Sequence, residues 1–144
     1  MKTSLWFLLA GLLFTGCARS TVEKRRQERL AAYTGLSPEQ KSTVDQGKIR
    51  VGMSTDAVYI AWGKPAQILE GESSQGSTVT WLYHGTYLEE YRYWAYRGSY
   101  YYGDRYYSSP YMAYDYYPRG YISAEVKFEG GVVKEWRSLP QPGY

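Results

Sequence analysis

The sequence predicts an α+β domain in which two short helices pack on a three-stranded antiparallel sheet, in the order ααβββ. Two helix start signals lie before Gly63, and alternation of apolar and polar residues begins at Thr78. A long tyrosine-rich insertion separates the first and second predicted strands. The chain of 144 residues has room for one such domain and little more.

The first helix signal is the segment LSPEQ, residues 36–40. Ser37 is a typical N-cap, Pro38 fits the first helical position, and Gln40 stands where a capping box needs a glutamine or glutamate. These residues predict a helix from Pro38 to about Gln46.

The second helix signal is Ser54, an N-cap residue followed by Asp56, whose charge complements the helix dipole. Gly63 and Pro65 mark the end of this helix. The apolar residues that share one helix face are Ala57, Val58, Ala61 and Trp62.

Three segments show the two-residue period of strands. They are TVTWLY at residues 78–83, ISAEVKF at 122–128 and VVKEW at 132–136. The last two are joined by Gly130 and Gly131, which tolerate the positive φ of a tight hairpin. The sheet is expected to bury one face on the helix pair.

Residues 1–17 have the pattern of an export signal. Lys2 precedes an apolar run at residues 5–14, which is too short to span a bilayer, and small residues precede Cys17. The segment FTGC resembles the lipobox of bacterial lipoproteins, in which the cysteine is acylated, typically with palmitate. An ordinary cleavage site and a buried free thiol are the alternatives. Ala18 is similar to the outer-membrane address of such lipoproteins.

The predicted domain boundaries follow from these signals. Residues 1–17 form the lipoprotein signal peptide, and residues 18–35 form a polar spacer with a helix start signal at Ser20. Residues 36–139 form the α+β domain with the insertion at 87–121. The tail at 140–144 contains proline and does not continue a central strand. The spacer contains a basic cluster that is expected to rest against lipid headgroups or to be a solvated helix face. Its members are Arg19, Lys24, Arg25, Arg26 and Arg29.

The segment KIRVGMSTDAVYIAWGKP, residues 48–65, is similar to the signature of the SmpA/OmlA (BamE-like) family of outer-membrane assembly lipoproteins. The order of lipobox, spacer, two helices and three strands is similar as well. The resemblance implies a non-enzymatic protein-interaction domain on the periplasmic face of the outer membrane, a scaffold or accessory factor of an envelope protein complex such as the β-barrel assembly machinery. It also implies that Ile49, Arg50 and Met53 contact a partner or phosphatidylglycerol.

The sequence offers little chemistry for catalysis. His84 is the only histidine, Cys17 is the only cysteine, and the metal-ligand spacings of Cys and His are missing. We therefore expect no enzyme activity, no metal and no cofactor, with a carboxylate-based hydrolase as a remote alternative. The formal net charge of +3 is too small to indicate a nucleic-acid-binding protein.

The insertion at residues 87–121 is the most unusual part of the chain. Fifteen tyrosines lie between positions 83 and 121, with arginines among them. A mobile loop with binding potential, an extended hairpin and an inert spacer are the three interpretations, and the loop is favoured because aliphatic residues are scarce. Tyrosine and arginine are enriched at interface hot spots. The residues expected to form an interaction surface are Arg97, Tyr100, Tyr101, Tyr102, Arg105, Tyr106, Tyr107, Tyr116 and Tyr117.

Two functions therefore remain from the sequence. The first is the assembly scaffold that the resemblance implies. The second is a peptidoglycan- or polysaccharide-binding envelope lipoprotein that stacks its tyrosine rings on sugars.

Overall fold

A computed structural model describes residues 20–74 and 76–143 of the chain. The predicted signal peptide and Cys17 lie outside these residues. The elements are α1 (Val22–Glu28), α2 (Leu30–Thr34), α3 (Pro38–Asp45), α4 (Thr55–Trp62), β1 (Gln67–Ser73), β2 (Gly76–Tyr102), β3 (Arg105–Glu129) and β4 (Val132–Ser138). The strands form one antiparallel sheet in the order β1-β2-β3-β4. No helix in the described part of the chain is long and apolar enough to cross a bilayer.

The α+β class agrees with the sequence, but the predicted ααβββ arrangement is wrong. The described residues contain four short helices and four strands, and the two central strands are 27 and 25 residues long. β1 escaped prediction because it is a polar edge strand with Gly71 inside it, and its apolar Ile68 and Leu69 are both about half exposed. The predicted first strand covered only a short part of β2.

Helices α3 and α4 begin at the predicted caps. The Ser37 hydroxyl accepts a hydrogen bond from the Gln40 backbone N–H at 3.2 Å, and Gln40 Oε1 accepts one from the Ser37 N–H at 3.3 Å. The Ser54 hydroxyl accepts from the Ala57 N–H, which starts α4. At the other end of α4, Gly63 has a φ of 89°, a conformation that favours glycine.

The hydrophobic core lies between the helices and one face of the part of the sheet in which all four strands pair. Its largest fully buried side chains include Met53, Ile60 and Phe128. The full cluster is Val44, Ile49, Met53, Ala57, Val58, Ile60, Ala61, Val126, Phe128 and Val133. Among the described residues, none of the core cluster lies between positions 84 and 122. The core is therefore built without the tyrosine-rich segment.

Residues 22–34 were predicted to be part of a polar spacer, but they form α1 and α2, which pack against the domain. Val22 of α1 and Tyr33 of α2 are partly buried against the core. Arg25 is only 6% exposed, and its guanidinium donates to the carbonyl oxygens of Ile60 and Ala61, each at 2.8 Å. At least this member of the basic cluster is therefore neither at lipid headgroups nor on a solvated face, because it binds the C-terminal turn of α4.

The tyrosine-rich segment is a regular hairpin and not a mobile loop. β2 and β3 remain paired from Thr78↔Glu129 to Tyr102↔Arg105, with shifts in register after Tyr83 and after Arg97. The turn at the tip contains Gly103, with a φ of 62°. The favoured loop interpretation of residues 87–121 is therefore wrong, and the extended hairpin is the observed structure.

Most of this hairpin projects beyond the rest of the sheet. β1 pairs with β2 only as far as Leu82, and β4 pairs with β3 only as far as Ala124. We call residues 84–122 the ribbon, because over these residues β2 and β3 pair with each other and with neither of the other described strands. At about 3.3 Å per residue, each of its two strands is roughly 60 Å long. The four-stranded part and the helices together are called the base.

Glycine at the foot of the ribbon makes room for an aromatic ring. A Cβ atom on Gly85 would lie 2.6 Å from Cε1 of Tyr121, whose ring contacts Tyr87 at 6.0 Å between centroids. We expect Gly85→Ala to displace the Tyr121 ring and to lower the free energy of unfolding by about 1–3 kcal/mol, as overpacking does. Urea unfolding measures the change.

Gly120→Ala is the matched control, since it lies on the neighbouring strand and its Cβ would meet nothing within 4 Å. An equal loss of stability in both variants would mean that the glycine backbone, and not the Tyr121 ring, explains the effect.

Tyr83 links the sheet to the end of α4. Its hydroxyl donates to the Gly63 carbonyl at 3.1 Å, and its ring meets Trp62 edge-on at 5.2 Å. Burial raises the pKa of Tyr83 far above its ordinary value of about 10.

A raised folded-state pKa gives stability that is complete below about pH 10 and is lost as the pH rises above it. We expect absorbance titration at 295 nm to show, in the intact protein, a last tyrosine that titrates at higher pH than the rest, and Tyr83→Phe to remove this last step. If the last ionisation step remains in Tyr83→Phe, that step belongs to another tyrosine.

Candidate interaction surface

The ribbon has two faces, and the strand register assigns each side chain to one of them. Directly paired residues of antiparallel strands share a face, and successive residues alternate. We call one side the tyrosine face, and it carries Tyr87, Tyr91, Tyr93, Tyr100, Tyr102, Tyr107, Tyr111, Tyr117 and Tyr121. The other side is called the mixed face, and it carries Leu88, Trp94, Tyr96, Tyr101, Tyr106, Met112, Tyr114 and Tyr116.

Ring contacts run along the tyrosine face. The rings of Tyr91 and Tyr117 meet edge-on at 6.3 Å, and nearer the tip those of Tyr100 and Tyr107 stack at 5.4 Å. The Arg97 guanidinium lies 4.9 Å from the centre of the Tyr111 ring, within cation–π range. Such cross-strand pairs stabilise the ribbon beyond the part of the sheet where the other two described strands pair.

Charged groups on both faces are engaged within the ribbon. On the tyrosine face, Arg119 donates to Glu89 at 2.6 Å, and interaction with the Asp115 carboxylate raises the pKa of Tyr93. On the mixed face, Arg92 donates to Glu90 at 2.5 Å, and this hydrogen bond is the main reason that the pKa of Glu90 is lowered.

The ribbon carries no net formal charge. Its four arginines equal its four carboxylates in number, and it contains no lysine. The charged residues are Arg92, Arg97, Arg105, Arg119, Glu89, Glu90, Asp104 and Asp115. Long-range attraction to a strongly charged partner is therefore not the basis of any recognition here.

Many rings of the ribbon are exposed to solvent. Tyr101 and Tyr102 at the tip are 75% and 78% exposed, and Trp94 on the mixed face is 64% exposed. Monomeric proteins rarely leave extended apolar patches uncovered, and such patches are typical of interaction sites. The ribbon is therefore the candidate functional site of this chain.

The structure divides the residues predicted for one tyrosine-rich surface between the two faces. Arg97, Tyr100, Tyr102, Arg105, Tyr107 and Tyr117 lie on the tyrosine face, and Tyr101, Tyr106 and Tyr116 lie on the mixed face. The predicted surface did not include several other aromatic residues of the ribbon, among them Tyr87, Tyr91, Tyr93, Trp94, Tyr111 and Tyr121. A hairpin predicted with its turn at Gly103 and Asp104 would have included these residues in its strands, but the irregularity after Arg97 shifts their partners by one position.

The residues that the family resemblance pointed to are mostly buried. Ile49 and Met53 are 4% and 2% exposed and belong to the core. Arg50 is exposed and forms an ion pair with Glu39 at 2.7 Å. Of these three side chains, only Arg50 is therefore available to a partner or a lipid headgroup in this conformation.

In the described part of the chain, the side chains that could ligate a metal are not brought together. His84 pairs with Ile122 at the foot of the ribbon. Within residues 20–74 and 76–143, no three His, Cys, Asp or Glu side chains lie close enough together to hold a metal ion.

Comparison with known proteins gives no further assignment, since no family model, no curated protein and no solved structure matches this chain.

Proposed function

We propose that this chain is a non-enzymatic, lipid-anchored outer-membrane protein whose base presents the ribbon as a docking arm to an envelope protein complex. The observation that carries the proposal is the ribbon itself. It projects from the base as two paired strands, and exposed aromatic rings cover both of its faces. The core cluster needs none of these rings, so folding of the base does not explain them.

The chemistry of the ribbon suits protein recognition. Tyrosine offers a large contact area and loses little rotamer freedom on binding, while arginine adds hydrogen bonds and cation–π contacts. Cross-strand pairs such as Tyr100 with Tyr107 already hold the rings in place. A pre-ordered arm binds with a smaller entropic cost than a loop that must fold on its partner.

The membrane anchor and the partner class rest on the sequence. The lipobox-like FTGC ending at Cys17 favours acylation, and multiple acyl chains give stable attachment. The similarity of residues 48–65 to the SmpA/OmlA (BamE-like) signature favours the β-barrel assembly machinery as partner. Exposed Arg50 is the residue of that segment that would meet a protein or phosphatidylglycerol.

A polysaccharide such as peptidoglycan is the second candidate partner. The tyrosine face favours it, because flat rings carrying hydroxyl groups lie in a row on a ribbon of zero net charge. Sugar rings stack on aromatic faces, and the Arg, Glu and Asp side chains between them would bond to sugar hydroxyls.

Affinity capture with the full acylated chain from solubilised envelopes tests both candidates. Barrel-assembly subunits in the captured fraction would support the first, and co-sedimentation with purified peptidoglycan would support the second. Two double variants separate the faces, namely Tyr100→Ser with Tyr107→Ser on the tyrosine face and Tyr101→Ser with Tyr106→Ser on the mixed face. Each removes one cross-strand pair near the tip, so the composition changes equally.

We expect only one of the two double variants to lose capture, because a partner contacts one face. Equal capture by both variants and by the full chain would contradict docking through the tip of the ribbon. For the anchor, labelled palmitate should enter the full chain and should not enter Cys17→Ala. A Cys17→Ala chain that still sediments with membranes would contradict a lipid anchor.

A further inference from the structure

The two faces of the ribbon differ in apolar character. The ribbon contains one leucine, one tryptophan, one methionine and one isoleucine, and the strand register places all four on the mixed face. They are Leu88, Trp94, Met112 and Ile122. The tyrosine face instead carries five of the eight charged side chains of the ribbon, namely Glu89, Arg97, Arg105, Asp115 and Arg119. The ribbon is therefore amphipathic, with one face more apolar than the other.

Three neighbouring strand pairs place apolar side chains side by side on the mixed face. The pairs are Arg92↔Tyr114, Trp94↔Met112 and Tyr96↔Pro110. We call Trp94, Tyr96, Pro110, Met112 and Tyr114 the Trp94 patch. The side chains of Trp94, Tyr96 and Tyr114 are 64%, 67% and 53% exposed, and Met112 is 37% exposed. Exposed apolar groups that lie together in this way are typical of sites that contact a protein or a membrane.

The charges beside the patch neutralise each other. The charged side chains that the register assigns to the mixed face are Glu90 and Arg92, which form an ion pair at 2.5 Å. The Arg92 guanidinium also lies 5.8 Å from the centre of the Tyr114 ring, at the border of the patch. An apolar surface can therefore cover the patch without isolating a single charge, which would be costly.

We propose that the Trp94 patch inserts into the headgroup region of a phospholipid bilayer, with the tyrosine face of the ribbon turned toward water. Tryptophan and tyrosine are enriched at this boundary, because each joins an apolar ring to a polar group. Trp94, Tyr96 and Tyr114 supply such rings. A ribbon of two strands twists, so a short patch and not the whole mixed face meets a flat surface.

The position of the acyl anchor favours a bilayer as the occupant, and this step rests on the proposed function. Cys17 precedes Val22, the first residue of α1, by five positions. Extended chain covers at most about 3.6 Å per residue, so the anchor holds α1 within about 18 Å of the bilayer surface. The ribbon is roughly 60 Å long, and it can reach this surface by tilting.

The chemistry of the patch also favours lipid over a protein surface. Its polar side-chain groups are one indole N–H and two hydroxyls, so it offers few directional hydrogen bonds. The ion pairs and hydroxyls of the tyrosine face offer many more. The inference thus gives each face its own partner, with lipid on the mixed face and the envelope complex or polysaccharide on the tyrosine face.

Spin labelling of the full acylated chain in phosphatidylcholine vesicles tests the contact. These vesicles have no net charge, so they do not attract the basic cluster near the anchor. Met112→Cys places a nitroxide on the patch, and Ala113→Cys is the matched control, because it is the next residue and lies on the tyrosine face. Collisions of the label with oxygen, which concentrates in lipid, and with a nickel chelate, which stays in water, are then measured.

We expect the label at position 112 to meet the nickel chelate at least about fivefold less often than the label at 113, because interfacial side chains lie roughly 5–10 Å into the headgroup boundary. Collisions with oxygen should rise at 112. Equal nickel collisions at both positions would overturn the proposal. A fall in both kinds of collision at 112 would also overturn it, since that result indicates burial against protein, including a second copy of the chain.

Two controls separate this inference from the lipid anchor. The natural chain reports any label that reacts with Cys17, its only cysteine. Incorporation of labelled palmitate into the same chains tests the anchor itself. Nickel access at position 112 in a palmitate-bearing chain overturns the patch contact and leaves the anchor intact. Protection at 112 in a chain without palmitate supports the patch contact and contradicts the anchor.

An added carboxylate tests which face meets the lipid. Trp94→Glu and Ala95→Glu introduce the same charge at neighbouring positions on opposite faces. In the Met112→Cys chain, Trp94→Glu should return nickel collisions to within about twofold of the value at position 113, because a carboxylate in an apolar layer is costly. Ala95→Glu should leave them low, and circular dichroism confirms that both variants are folded. An equal effect of the two substitutions would overturn the assignment of the mixed face to the bilayer.

Discussion

A chain in which residues 86–120 are replaced by Asn-Gly is expected to fold with a free energy of unfolding within about 1 kcal/mol of the full chain. Gly85 and Tyr121 are directly paired, and they lie an odd number of positions from the pair Leu88↔Pro118, which lacks mutual hydrogen bonds because proline has no N–H. Gly85 and Tyr121 therefore form a hydrogen-bonded pair, which a two-residue turn can close. The deleted segment contributes nothing to the core cluster. Urea unfolding of the deletion variant measures the prediction.

The same deletion should abolish capture of the partner, whichever candidate the partner is. A control chain in which Asp104 alone is changed to Asn keeps the ribbon and should behave as the full chain in both measurements. A deletion variant that does not fold would show that the ribbon supports the base, and the separation of base and arm would then be wrong.

The sequence could predict the parts of the fold that depend on local signals, and it could not predict the parts that depend on distant pairing. Capping residues such as Ser37 and Ser54 act locally, so α3 and α4 begin where the sequence indicates. The ribbon is held by pairs such as Tyr91 with Tyr117, which lie far apart in sequence. Its composition resembles a loop, and the assignment of the tyrosines to two faces depends on the strand register and on its shift after Arg97, which the sequence does not show.

Ile49 and Met53, the two predicted contact residues that are buried, show a second limit of prediction from sequence. Ile49 and Met53 follow a family-like pattern that fits either a surface segment or a core segment, and burial distinguishes the two. Both residues are apolar, and apolar residues between two helices are most simply explained by packing. Arg50 is polar and remains exposed, so the segment between α3 and α4 has one side in the core and another in contact with solvent.

The burial of Arg25 and its contacts with α4 could not be predicted from the local sequence. It lies among Lys24 and Arg26 in a basic stretch that reads as a solvated or lipid-facing helix. Its partners are carbonyl groups 35 and 36 positions away, in the last turn of α4. A cation at the C-terminal end of a helix satisfies carbonyls that have no partner within the helix.

Replacing Arg25 by methionine should lower the free energy of unfolding by about 3 kcal/mol. Methionine keeps most of the buried aliphatic stem, while the carbonyls of Ile60 and Ala61 lose their charged donor, and hydrogen bonds to charged groups contribute about 1.5–3 kcal/mol each. Arg25 also donates to the Ser20 carbonyl, so α1 should detach from α4 before the sheet unfolds. Hydrogen exchange should then show early opening of α1.

Lys24→Met is the matched control, because it removes one cation from the same helix at an exposed position. Its free energy of unfolding should stay within about 0.5 kcal/mol of the natural chain. If both variants lose the same stability, the net charge of α1 and not the carbonyl contacts would be responsible. If neither variant loses stability, α1 would be dispensable, and residues 18–35 would behave as the spacer that the sequence suggested.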